Sequence, residues 1–534
     1  MIEFNQKLKD EIARFRQVGH QFLKKEITTA EFKGASGGMG VYAQRGGEKF
    51  MLRLRIPSGV LSLSHLKLIT EFAKQYKLDT IHLTTRQAVQ LHDLGIDEVC
   101  DIMEAAIDHG LYSRGSGGNF PRNVALSPLS GVESGEAFDV TPYALQVGNY
   151  LLERITEYRL PRKLKISFSN SDRDSANSTI NDTGFLAVTC NKKPYFKLYL
   201  AGGLGPNPSI ALNYDELIPP EEILYYVEAV IRLFMEEGDY QNKGRARLRY
   251  IPGRMGRDAF MECYKKHLAK VKEELVFEGI KPVLAEEMKE NGNVDLNPQE
   301  YFKENKSIEN NITENDCLIP QKQKGLYTVL IHPLCGLMPA DTLTKILAFF
   351  NDCDNPDMRL GMSESMYIRN LSADKAEELL ALTKEVRQVS RIQRSVSCVG
   401  VPTCQIGVEQ SQELCKSILK RLDEKRITGD YLPSVHISGC GNSCARHQVN
   451  EIGFAGGKKR VGEAVEDVFE LHVGGQHGRD NTKFGRAAGI MKKDDIPEFM
   501  AELAEELKRN KMYFKDFLVK HSRKFDEIAG KFLV

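Results

Sequence analysis

The sequence has no excess of charge of either sign. Lys plus Arg and Asp plus Glu both number 73, so there is no global basic field of the kind that marks nucleic-acid binders, and nucleic acid is not an expected partner. Functional positive charge has to be local. No apolar run approaches membrane-spanning length, and the first residues, MIEFNQKLKDEIARFRQVGHQF, read as a charged amphipathic helix rather than a signal peptide. A cytoplasmic protein without membrane contact is expected. Low-complexity repeats and heptad arrays are missing too. The eleven cysteines are an odd number without secretory context, which argues against a disulfide framework. In a reducing compartment, clustered cysteines more often bind metal or do redox work.

What is present is a 534-residue chain, 41% hydrophobic and 27% charged, which suits a soluble globular protein of roughly two to four domains. It contains an internal repeat. Gly59 to Leu94 aligns without a gap on Gly336 to Leu371, so that Leu66 meets Leu343, Ile69 meets Ile346, Phe72 meets Phe349, Leu83 meets Leu360 and Leu94 meets Leu371. Each copy follows a β-like run (FMLRLRIP, LYTVLIHP), reads as a helix with apolar residues at helical spacing, and ends in a short strand near IHLTT or MRLGM. The apolar positions persist, whereas Arg86, Gln90 and His92 become Ser363, Tyr367 and Arg369. A duplicated fold that kept its core and diverged in its chemistry would look like this. Between the copies, residues 280–324 are rich in Asn, Glu and Lys and read as a polar linker. DIPEFMAELAEELKRN near the C-terminus reads as a helix.

Four cysteines form a pattern. Cys398 and Cys404 make a C-x5-C, and Cys440 and Cys444 a C-x3-C in the stretch HISGCGNSCARHQ. Four thiolates suit an iron–sulfur cluster or zinc. The wide first spacing is poor for a zinc knuckle and suits cubane ligands, and the flanking glycines let backbone N–H groups approach cluster sulfurs. The cluster, zinc and unrelated cysteines all stay open on spacing. The other seven cysteines share no pattern and read as small buried hydrophobes.

Basic residues sit in short motifs rather than runs. Arg53 and Arg55 alternate in FMLRLRIPSG; Lys163 and Lys165 alternate in LPRKLKISFSN, with Arg162 on the other face. Arg86, Gln90 and His92 lie in LTTRQAVQLH, and Arg122 and Asn123 follow a glycine-rich turn. Any single one reads as a solvated surface charge. Two alternating basic pairs in apolar strands do not, because an unpaired buried charge is costly. They call for an anion, either a polycarboxylate cofactor or a small oxyanion.

Taken together, R-x-R-x-P-x-G, T-x-R-Q-x-x-Q-x-H, P-R-N-V, L-P-R-K-x-K, GGLG (Gly202 to Gly205) and the two cysteine pairs, in this order over nearly the whole chain, resemble the siroheme-dependent sulfite and nitrite reductases. The resemblance implies an α+β fold, with two ferredoxin-like half-domains plus two larger α/β siroheme/cluster-binding domains related by pseudo-two-fold duplication. The expected divisions are 1–109 (N-terminal helix and first half-domain), 110–279 (first siroheme-binding domain), 280–324 (linker), 325–385 (second half-domain) and 386–534 (second siroheme and [4Fe–4S] domain).

By the same resemblance Cys398, Cys404, Cys440 and Cys444 ligate a [4Fe–4S] cluster, and Cys444 is also the axial ligand of siroheme iron. Arg55, Arg122, Lys163 and Lys165 bind the substrate oxyanion and supply protons. Arg86, Gln90, His92, Asn123 and Asn442 contact siroheme, and Arg162, Arg247 and Arg249 pair its carboxylates. The implied reaction is six-electron reduction of sulfite to sulfide, or of nitrite to ammonia. Lys165 favours sulfite, since the family's nitrite reductases tend to carry Asn there. No flavin or NADPH domain is evident, so a separate ferredoxin or flavoprotein has to supply electrons; a monomer is expected. The reading of another class is a zinc-stapled protein whose basic strands contact an anionic polymer.

Overall fold

The computed structural model of the chain describes residues 2–280, 317–353, 356–429 and 431–534. Four five-stranded sheets organise them. The first runs Val41–Ala43, Phe50–Arg55, Ala88–Leu94, Thr80–Leu83 and Leu337–Pro339; the second runs Leu318–Pro320, Tyr327–Ile331, Met366–Leu371, Asp357–Leu360 and Val60–Leu61.

These two sheets are the repeated half-domains, and each lends a strand to the other. Val60–Leu61 pairs antiparallel with Asp357–Leu360, and Leu337–Pro339 pairs antiparallel with Thr80–Leu83. All ten aligned apolar residues, from Leu66 and Leu343 to Leu94 and Leu371, lie in one shared core. The repeat is also written in the backbone. Ser58 and Cys335, Gln87 and Glu364, and Asp93 and Asn370 occupy equivalent positions, and all six have positive φ. The N-terminal helix, Ile2–Leu23, covers this core through Leu8, Ile12 and Phe15 and packs on helix Ile96–Asp108.

The third sheet (Leu212–Ile218, Lys193–Leu200, Thr183–Cys190, Ile166–Ser169, Ala125–Leu126) and the fourth (Val396–Ser397, Val435–Ser438, Ile452–Val461, Ala464–Val473, Arg486–Lys492) are mixed. In each, two short parallel pairings lead into antiparallel hairpins. Helices cover them, among them Ile223–Glu237 and Arg257–Glu274 over one core and Ser411–Glu424 and Ile496–Asn510 over the other. Apolar residues at helical spacing bury one face of Ile496–Asn510, including Phe499, Leu503 and Leu507.

One expectation is corrected. The stretch read as linker, 280–324, lies mostly outside the described residues, but its end contains strand Leu318–Pro320, paired with Tyr327–Ile331. Leu318 packs on the half-domain core, which draws this polar segment into the sheet. Among the described residues no helix is long and apolar enough to cross a membrane.

Candidate active site

The half-domain sheets and the two larger sheets meet around a cavity of about 310 Å³. Arg53 and Arg55, two residues apart in strand Phe50–Arg55, both line it. Lys163 and Lys165 line it as well, but from an extended approach just ahead of strand Ile166–Ser169. Leu164 between them is fully buried and bridges Pro121, so the lysines on either side turn the opposite way, into the cavity.

Arg122 is held by its Nη2 donating to the Gly118 carbonyl (2.8 Å) and Arg55 by its Nη1 donating to those of Arg114 and Pro121 (3.3 Å each). Arg86 donates from Nη2 to the Ile166 carbonyl (2.8 Å), while its buried Nε has no partner among the described residues; the same holds for Arg446 Nε. Crowding and burial show in the acid–base behaviour. Burial, then Arg122, pushes Arg55 down to about 10; burial pushes Arg86 down to about 9, opposed by Asp182. Burial, Arg247 and Arg122 bring Lys163 to about 7, and burial, Lys163 and Arg86 hold Lys165 well below the usual lysine range. A wall of mutually repelling cations with unused N–H groups is built to receive anions.

At the other end stand four thiols. Cys398, Cys404, Cys440 and Cys444 all line the cavity. Cys398 Sγ accepts from Gly439 N (3.1 Å), and Cys440 Sγ from Asn442 Nδ2 (3.3 Å). Burial pushes the thiols of Cys398, Cys404 and Cys440 upward, and Cys444 raises each of them further, Cys398 to about 12. One thiol felt by three others marks a convergent quartet. Yet among the described residues no group of three or more His, Cys, Asp or Glu is placed to hold a single metal ion. Four thiols gathered at one end of the cavity are a donor set that suits a thiolate-ligated cluster.

Comparison with known proteins agrees. Residues 117–272 and 388–511 match the nitrite and sulphite reductase 4Fe-4S domain, and residues 42–108 and 319–386 the nitrite/sulfite reductase ferredoxin-like half domain. The chain belongs to the nitrite and sulphite reductase family. It is 26% identical to sulfite reductase [ferredoxin] 1 of Mycolicibacterium paratuberculosis over 82% of this chain and 75% of that one. It is equally 26% identical to the ferredoxin–nitrite reductase of Synechococcus elongatus, over 86% of both chains. The solved NirA protein of Mycobacterium tuberculosis has the same fold, with a TM-score of 0.76 at 23% identity over 92% of this chain and 91% of that one.

As a member of the nitrite and sulphite reductase family, the protein is an oxidoreductase whose cofactors are siroheme and a [4Fe–4S] cluster. The residues fit both groups. The quartet offers four thiolates, and the unpartnered guanidinium N–H groups meet the need of a carboxylate-rich macrocycle.

Of the residues picked from the sequence, Arg55, Arg86, Gln90, Arg122, Asn123, Lys163, Lys165, Asn442 and the four cysteines line the cavity of this reductase. His92, Arg162, Arg247 and Arg249 lie outside its lining. His92 is one step too far along strand Ala88–Leu94, and His82, opposite Gln90 in the next strand, stands in the wall instead. Arg162 donates to Asn119 Oδ1 (3.4 Å), and Arg249 to the Asn207 carbonyl (2.7 Å). Arg247 is already paired, with Nη2 2.8 Å from Oδ2 of fully buried Asp182, which also accepts from Lys165 N. Asp182→Ala would leave Arg247 buried without its anion at a cost of about 3–5 kcal/mol; a thermal unfolding scan should show a large fall in midpoint.

The cysteine stretch also has a counterpart that the sequence reading passed over. SNSDRDSANSTIN, from Ser169, superposes in pattern on SGCGNSCARHQVN, from Ser438. Ser127 N donates to Phe168 O as Cys398 N does to Ile437 O, and Glu133 N to Leu129 O as Cys404 N does to Gly400 O. Asp174 and Asn177 have positive φ, as do Ser443 and Arg446. The four ligand positions are therefore Ser127, Glu133, Ser171 and Ser175 in the first half. There Ser175 Oγ donates to Ser127 Oγ (2.6 Å) and Arg173 pairs with Glu133 (3.3 Å), so polar contacts occupy what the second half keeps as a thiol quartet.

Proposed function

We propose that this enzyme reduces sulfite to sulfide in a six-electron reaction. The observation that carries the choice is Lys165. It places a second lysine beside Lys163 in a cavity already holding Arg55 and Arg122, a density of positive charge suited to a dianion. Reduction of nitrite to ammonia by the same site is the second reading, supported by the nitrite-reducing relatives of equal similarity.

In this reading Arg55, Arg122, Lys163 and Lys165 hold the oxyanion. Lys163, brought to about 7, exists in both protonation states near neutral pH, so it can bind as a cation and give up a proton as substrate oxygens leave as water. Arg86, Gln90, Asn123 and Asn442 would contact siroheme. Arg162, Arg247 and Arg249 would act from behind the wall; Arg247 does so by holding Asp182 against the Lys165 backbone. Cys398, Cys404, Cys440 and Cys444 would ligate the cluster, with Cys444 shared with siroheme. When bound, the coupled cofactors supply electrons at an iron centre. A separate ferredoxin is the proposed donor, as the names of the relatives suggest, with the chain acting as a cytoplasmic monomer. Steady-state assays with one artificial donor should give the higher kcat/KM for sulfite; a much higher value for nitrite would overturn the choice.

A further inference from the structure

Glu364 occupies the position that Gln87 holds in the other half-domain, with the same left-handed backbone (φ 60 and 53). Gln87 is fully used. Its Nε2 donates to the carbonyls of Leu126 (2.7 Å) and Leu360 (2.6 Å), and its Oε1 accepts from Leu126 N (2.8 Å). Glu364 is different. It is 1% exposed and lines the cavity, and among the described residues no Lys or Arg lies within ion-pair distance of it. A buried carboxyl in a cation-rich site, yet without a cation against it, asks for a purpose.

Its surroundings suggest one. Ser397 N donates to Glu364 Oε2 (3.2 Å). Oε1 lies 3.9 Å from His82 Nε2, a buried atom that has no hydrogen-bond partner among the described residues. The histidine tautomer follows from Gln90, whose Oε1 accepts from Arg53 Nη2 (2.6 Å) and Nε (2.9 Å). Its amide must therefore donate to His82 Nδ1 (3.0 Å) and His92 Nε2 (3.2 Å). His82 thus carries its proton on Nε2, facing Glu364. Burial holds His82 down at about 4, so it stays neutral, and burial holds the Glu364 carboxyl well above the usual range. Arg446 faces Glu364 from the cysteine loop, and Cys335, with Cys415 beyond it, from the turn Leu334–Gly336.

We propose that Glu364 is a proton donor to the cavity, with His82 Nε2–H and Ser397 N–H as the cradle for the carboxylate it becomes. Each oxygen that leaves the substrate does so as water and needs two protons. The Glu364 O–H bond breaks, an O–H bond forms on the departing oxygen, and Glu364 is reprotonated from solvent; the electrons come from the external donor. The cradle makes release reversible, since Ser397 N–H donates to one carboxylate oxygen, the His82 Nε2–H dipole faces the other from 3.9 Å, and Arg446 supplies distant positive charge. This inference rests on the oxyanion-reductase reading but not on the choice between sulfite and nitrite.

Glu364→Gln is the test, because Gln87 demonstrates that glutamine fits this backbone. Infrared difference spectra of holoenzyme against E364Q at neutral pH should contain the carbonyl band of a protonated carboxylic acid, shifted in D₂O. E364Q should keep its visible spectrum and its KM, lose about tenfold in kcat as one of several donors is removed, and lose one limb of the kcat–pH profile, with whichever oxyanion is the better substrate. No carboxylic acid band in the wild-type difference spectrum, or an E364Q enzyme with unchanged kcat and pH profile, overturns the proposal. If E364Q loses its cofactors, the band is sought in wild-type protein across a pH titration, and its absence at neutral pH also overturns it. Loss of sulfite preference with the band retained would sink the substrate choice and leave Glu364 standing.

Discussion

Cys444→Ser is expected to yield a folded protein without the visible absorption of siroheme and without activity toward sulfite or nitrite. Cys444 is exposed in the cavity rather than part of a core, so the substitution removes no buried apolar surface. Serine also suits this loop, because Ser175 stands at the equivalent place in the first half. The loop is held independently of the thiol, by Thr85 Oγ1 donating to the Cys444 carbonyl (3.0 Å) and Ala445 N donating to Ser438 Oγ (3.2 Å). Loss should therefore fall on the cofactors. Iron analysis, an absorption spectrum and circular dichroism on the same sample separate cofactor loss from unfolding. An active variant with an unaltered spectrum would contradict the shared-ligand role.

Lys165→Asn should cut kcat/KM for sulfite by about 10- to 100-fold, the loss of one charge-assisted hydrogen bond of roughly 1.5–3 kcal/mol, and should spare nitrite. The reason is charge matching. Lys165 sits among Lys163, Arg86 and Arg247, and its ordinary proton affinity is depressed by burial and by these like charges. A dianion repays that crowding more than a monoanion does, so removing one cation penalises sulfite selectively. The same crowding sets a pH dependence. Lys163 gives up its proton near 7, so KM for sulfite should climb as pH rises above that value. Steady-state assays of both oxyanions over pH check both statements, and equal losses for sulfite and nitrite would remove Lys165 from specificity.

Asp182 and the Asp174 loop explain why parts of the site escaped a linear reading. The family resemblance implies that Arg247 pairs a cofactor carboxylate, and the basic segment around it, GRARLRY, is compatible with any anionic partner. Its partner is a protein carboxylate far upstream, and nothing local in either segment records the pairing. His92 is a similar case: T-x-R-Q-x-x-Q-x-H puts it in a motif, whereas His82 enters the cavity wall only through register with Gln90. The duplication of the two larger domains, implied by the family resemblance, is also written locally in the matched spacing of Ser169–Asn181 and Ser438–Asn450. The match is hard to see in the sequence because serine and glutamate stand where the cysteine loop has its thiols.

The sequence by itself determined the thiol quartet, the alternating cations, the half-domain repeat and the family, since each is carried by local spacing, and local spacing decides which side chains share a face. The tertiary structure alone decided that the half-domains exchange strands and share one core, that Lys163 and Lys165 work from ahead of a strand, and that Glu364 faces His82 across two sheets. The first and last of these depend on contacts between segments hundreds of residues apart, and the second on the bridge between Leu164 and Pro121. Burial, desolvation and hydrogen-bond satisfaction set them, and these exist only once the chain has closed on itself.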